Sequence, residues 1–411
     1  MRAHVAAMPS APPSPDMEPG PLPLELKDAV RAESRAAVAQ RLIEVVSWPE
    51  SRIPLFERQL AADILLGILR TSGQDLRSRC AYGLARIADA PKALLRYLAC
   101  DEIAVAEALL ETGRGFDESD LIAAVRGGTK AHWQAIARRR DLGEAATDAL
   151  LQTGDIPVIE TVLRNTFVRL STHGVDLAVA RSRQAPALPA LLAQRPEMRP
   201  TQALVLFWWA DHAVRVHLLR RFAVDRSVLI QELGETFALA AREGWADPET
   251  RKALQVIERR QRNRAAAAQS EFGSLEGAIE RASAGIEPYM LNEIAHMGGV
   301  KPATAAQIFA DPGGEAIAVF AKSVGLKRPM LLALWHALQR PAGDPERTDN
   351  ALGRTLYVFD TLATAKAQTV LRYWNWSFTA DVMGLENEVI DDLAEMPLAR
   401  RNAALLFGRS G

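Results

Sequence analysis

The sequence predicts an all-α protein: a curved helical-repeat solenoid with a C-terminal helical extension. Three observations predict it. The composition is 48% apolar but only 6% aromatic, and Ala, Leu and Arg carry much of the chain, which favours helices over β-branched, aromatic-rich strands. A block pattern recurs: Asp155, Val158 and Leu163 align with Asp211, Val214 and Leu219 at a shift of 56 residues, which also lays Arg139 on Arg195 and Leu150 on Leu206. Within the blocks, apolar residues such as Val158, Val162 and Leu163 return at three- and four-residue steps, giving each short helix one stripe to bury.

The opening "MRAHVAAMPSAPPSPDMEPGPLPLE" is broken by prolines from Pro9 onward. It has little to bury, so residues 1–25 are expected to form a flexible tail. It also lacks the continuous apolar region of a secretory signal, and no later run has the length of a membrane span. A cytoplasmic protein without membrane insertion is expected.

Residues 26–265 carry the expected repeat body. Related runs, "AHWQAIARR" from Ala131 and "ALPALLAQR" from Ala187, lie between the Asp-Val copies, so the unit is roughly 26 to 30 residues, a solenoid period. An Asp before an apolar-periodic run accepts hydrogen bonds from a helix's first-turn amides, so Asp101, Asp155 and Asp211 are expected as N-caps. "DLGE" at Asp141–Glu144 has capping-box-like spacing, and "DPE" at Asp247–Glu249 adds proline at a first helical position. One unit cannot bury its stripe alone, whereas stacked neighbours can.

Residues 266–340 read as a helical hairpin region. "IAHMGGVKPATAAQIF" from Ile294 and "FAKSVGLKRPMLLALW" from Phe320 align at a shift of 26, pairing Gly299 with Gly325 and Lys301 with Lys327. The glycines supply left-handed backbone at helix ends. "DPGGEA" from Asp311 suits an interhelical turn better than a phosphate cradle. "PAGDPERTDN" at 341–350 is expected to be a linker, and 351–411 a last helical segment containing "VLRYWNWSF".

"TGDIPVIETVLRN" and "LLRYLACDEIAVAEALL" resemble HEAT-type and leucine-rich-repeat-variant helical repeats, whose turns commonly carry Asp followed by Val. The resemblance covers roughly Leu60 to Phe222. More loosely, the whole chain resembles an uncharacterised family of alphaproteobacterial helical-repeat proteins, which brings no catalytic residues. "TFVRLSTHGVDLAVARSRQ" from Thr166 departs from its counterparts by its greater length, so one repeat is expected to be irregular.

Chemistry is sparse. Formal net charge is -1, so no global field recruits nucleic acid. The two cysteines, Cys80 and Cys100, read as reduced core thiols rather than a disulfide or redox pair. The histidines are dispersed without metal-ligand spacing, and Walker, GxGxxG and GxSxG motifs do not occur. No enzyme, cofactor or metal is expected.

Binding is expected of Arg139 and Arg195, one double unit apart and projecting as a ladder toward an acidic partner, and of Arg220 and Arg221. Adjacent Trp208 and Trp209 differ by about 100° around a helix, so one is available outside if both are not packed. The run "RKALQVIERRQRNR" from Arg251 to Arg264 carries six basic residues against one acid and reads as a solvated helix whose long stems cover apolar surface. The expected function is a non-enzymatic scaffold or regulatory adaptor binding another protein with an acidic surface. The other reading is a helical-repeat nucleic-acid binder or DNA-repair glycosylase, since HEAT-like solenoids include such enzymes.

Overall fold

The computed structural model describes residues 24–46, 53–224 and 265–377. All regular structure among them is helical, as the composition predicts, and none of the described helices is long and apolar enough to cross a membrane. The tail through Pro23, the Asp247–Glu249 turn, the Arg251–Arg264 run and the end of the chain from residue 378 lie outside the described residues. The chain divides between Asp120 and Leu121 into two compact units.

In the first unit, helices Leu24–Val46 and Leu55–Leu69 pack on each other, and Gln74–Leu84 packs on Ile103–Thr112. The stripe Leu94, Leu95 and Leu98 of helix Lys92–Ala99 joins Leu65, Leu69, Leu84 and Leu109 in one core. Buried Asp120 accepts Lys92 Nζ and Arg96 Nε, both at 2.7 Å. Cys80 is fully buried in this core, and desolvation pushes its thiol up to about 12. Cys100 corrects the expectation of two core thiols: it is the exposed C-cap residue of Lys92–Ala99, one step beyond the buried stripe.

Asp101 and Asp141 correct the capping pattern. Helix Ile103–Thr112 starts from Glu102 without a side-chain cap; Asp101, one residue earlier, accepts Glu102 N at 2.8 Å and Arg77 at 2.6 and 3.2 Å. Helix Glu144–Gln152 starts from Gly143, and Asp141 instead accepts Arg139 Nη2 at 2.9 Å. Asp155 and Asp211 do cap: they accept Val158 N at 3.3 Å and Val214 N at 2.9 Å.

In the second unit, successive short helices pack on the helix two places along. Lys130–Ala137, Ile156–Arg164, Leu188–Gln194 and His212–Phe222 make one row, and Glu144–Gln152, Thr172–Ser182 and Pro200–Leu206 the other. Thr364–Ser377 packs on Pro200–Leu206, where Tyr373 Oη donates to Thr201 O at 3.1 Å and Trp374 Nε1 to Leu204 O at 3.3 Å. Before it, the turns after Met297 and Val324 repeat one geometry. Gly299 (φ 69°) and Gly325 (φ 84°) are left-handed, and Val300 N and Leu326 N reach back to Ala295 O and Ala321 O at 2.9 and 3.0 Å, the six-to-one bond of a Schellman end. Residues 341–350 are non-helical, closed by Asn350, which caps Gly353 N at 2.9 Å.

Candidate functional site

The connection 165–171, inside the segment read as irregular, is longer than its neighbour 195–199. It opens with a turn in which Val168 N donates to Asn165 O at 3.4 Å, and from Phe167 to Leu170 its residues alternate exposed, buried, exposed, buried. Val168 and Leu170 point inward and join Leu163 and Leu191 in lining an open groove of about 890 Å³. Arg164, Arg169, Arg195, Glu144 and Glu197 supply its charge.

Arg195 builds this groove from beneath. It is 6% exposed, so its expected projection as an open rung is corrected. Its guanidinium donates to Asn165 O at 3.1 Å and Val168 O at 2.6 Å and pairs with Glu197 at 2.9 Å. Glu197 in turn accepts Leu170 N at 3.2 Å. The connection and its turn are thus pinned by an ion pair that satisfies the inward carbonyls. Arg139, at 2% exposure, corrects the other rung: it pairs with Asp141, as Arg195 does with Glu197. Both arginines are buried, and Arg195 also serves the preceding connection through Asn165 O and Val168 O.

The tryptophans are half-buried. Trp208 packs on Trp374 with ring centroids 4.6 Å apart and meets Phe207 edge-on, while Trp209 Nε1 donates to Ser182 Oγ at 2.8 Å. Arg220 is exposed but lies over the Tyr357 ring and donates to its hydroxyl. Arg221 donates to Ala193 O at 2.9 Å and Arg195 O at 3.1 Å. Of the six residues singled out in sequence, only Arg195 lines the groove; the other five are not among its lining residues.

A second constellation was not visible in sequence. Arg215 Nη1 lies 2.8 Å from both Asp311 Oδ1 and Glu315 Oε2, and Glu315 Oε1 is 2.7 Å from His212 Nδ1. Asp311 Oδ2 also accepts Gly314 N and Ala316 N, at 3.0 and 3.1 Å. Burial opposes ionisation of Glu315, but the charge of Arg215 together with hydrogen bonds from the backbone, His212 and Arg215 holds the carboxyl below the ordinary range. Gly314 sits at φ 85°, where a Cβ would strike Thr355 Oγ1 and the Trp335 ring, so "DPGG" is the interhelical turn expected of it. The available signals were an Arg inside the apolar stripe Val214–Leu218 and two acids around a Gly-Gly turn, too far apart in sequence to be paired. The arrangement ties His212–Phe222 to Glu315–Val324. No group of three or more His, Cys, Asp or Glu suited to a metal occurs among the described residues.

A family model described as an uncharacterised protein conserved in bacteria, DUF2336, matches residues 105–372. No curated protein and no solved structure matches.

Proposed function

The chain belongs to this bacterial family of uncharacterised proteins, and from that premise we propose that it is a non-enzymatic protein-interaction scaffold or regulatory adaptor built on HEAT-like helical repeats. The two-row packing supports the repeat reading. So do equivalent bonds at the 56-residue shift: Arg139 with Asp141 matches Arg195 with Glu197, and the Asp155 cap matches the Asp211 cap. The groove between 163 and 197 carries the scaffold reading. Its lining combines Leu163, Val168, Leu170 and Leu191 with charged side chains, and one edge is pinned by Arg195. Partner contact there uses exposed residues of the 165–170 edge, with Arg195 as support beneath them.

A photo-crosslinking amino acid placed at Phe167, which is 60% exposed, tests this in cells. The expected result is a discrete protein adduct, absent when the same group is placed at Tyr289 on the Pro288–Met297 helix. Absence of a position-specific adduct overturns the scaffold reading. Recovery of DNA or RNA in its place moves the function to the nucleic-acid-binding or glycosylase reading.

A further inference from the structure

Helix Leu55–Leu69 of the first unit is apolar on two faces. Ala61, Ala62, Leu65 and Leu69 turn into the core of that unit, while Phe56, Leu60 and Ile64 are 79%, 51% and 49% exposed. Residues four apart stand above one another on a helix surface, so these three form one ridge. Gly67, three residues further, has open space where a Cβ would be, and the ridge ends there on a low step. A helix with apolar residues all round is ordinarily covered on every side. We infer that this ridge docks an amphipathic helix of a protein partner, one whose apolar stripe is flanked by lysines or arginines. The ridge lies ahead of the family-matched residues 105–372 and shares none with the groove.

Charge selects that occupant. At 100° per residue, Glu57 falls on one side of the ridge and Asp63 on the other, and both are exposed. Neither has an ion-pair partner among the described residues, and Asp63 accepts Gln59 Nε2 at 3.0 Å. The cation beside Glu57 is spent inward: buried Arg58 donates to Val46 O at 3.0 Å and pairs with Asp89. Exposed Arg70 stands past the end of the helix, about 9 Å along the axis from Ile64. The two acids repel anionic headgroups and phosphates, and a second copy would bring the same acids to both rims of the contact. A ridge of side chains also offers no free backbone edge, whereas the groove between the ridges of another helix matches it.

The test uses the full chain and three stapled, fluorescently labelled helical peptides. One carries leucines at three- and four-residue spacing flanked by lysines, the second has glutamates for the lysines, and the third has serines for the leucines of the first. Anisotropy should show the first binding at least about tenfold more tightly than the other two. Leu60→Gln with Ile64→Gln should weaken it at least about tenfold, and Glu57→Lys with Asp63→Lys should transfer the preference to the glutamate peptide. Circular dichroism should show both variants folded, since exposed substitutions leave the inward face intact; the charge reversal touches no apolar residue and reads the preference even if the glutamine variant unfolds. Absence of binding by the lysine peptide, equal binding of the lysine and glutamate peptides, or binding that survives both variants overturns the inference. A dimer in sedimentation equilibrium that Leu60→Gln with Ile64→Gln dissolves would overturn it in favour of a second copy. Binding to phosphatidylserine vesicles that the same variant abolishes would overturn it in favour of a lipid surface.

Discussion

Asn165 and Arg221 perform the same task 56 residues apart: Asn165 Nδ2 donates to Ala137 O and Arg139 O at 3.0 and 2.6 Å, and the Arg221 guanidinium to Ala193 O and Arg195 O. Each closes the carbonyl end of the preceding helix in its row. Asn165→Ala should cost about 1 to 3 kcal/mol, because two part-buried carbonyls lose their donor. The urea midpoint of the purified chain measures it. An unchanged midpoint would mean that water replaces the amide at no cost.

Asp155 and Asp101 should separate by mechanism although their local sequences look alike. Asp155→Ala removes a cap and an ion pair with Lys130 at 2.9 Å; it should cost about 0.5 to 2 kcal/mol, and the cap's share should persist in high salt. Asp101→Ala removes one of the two acidic partners of Arg77 and no helix cap, so its loss should shrink in high salt. Thermal melts of both variants at low and high ionic strength compare them.

Asp176 couples stability to pH. It is buried, accepts Gln202 Nε2 at 2.5 Å, and desolvation raises its carboxyl to about 7 against the lowering influence of Gln202 and Arg199. A raised folded value means that the stabilising protonated form is fully present below the unfolded value near 3.8 and is lost as pH rises through about 7. Wild-type stability should therefore fall between those limits, by up to about 4 kcal/mol from this group. Asp176→Asn keeps an acceptor for Gln202 and should flatten that fall. Urea midpoints at pH 5 and pH 8 give the answer; parallel pH dependence in the two proteins would discount the buried carboxyl.

Glu315→Ala should be strongly destabilising, about 3 to 5 kcal/mol, because it strips one partner from buried Arg215 and the acceptor from His212. Hydrogen exchange should rise in both 212–222 and 315–324, the two helices the network joins. Faster exchange confined to 315–324 would show that the network does not couple them.

The sequence by itself determined the helical class, the Asp155 and Asp211 caps, the left-handed Gly299 and Gly325 and the irregularity after Thr166. These follow from interactions within a turn or two of helix, where spacing dictates which groups can meet. Only the tertiary structure decided what the arginines do. Arg139 and Arg195 look like exposed rungs because an arginine after an apolar run is ordinarily solvated, yet both are buried; Arg195 reaches Val168 O of the preceding connection, while Arg139 pairs with Asp141 beside it. The same holds for Arg215, whose partners Asp311 and Glu315 are brought to it only when the later helices pack on His212–Phe222. The desolvation of these charges, and for Arg215 the partners that offset it, are set by distant segments, so they are not encoded in local periodicity.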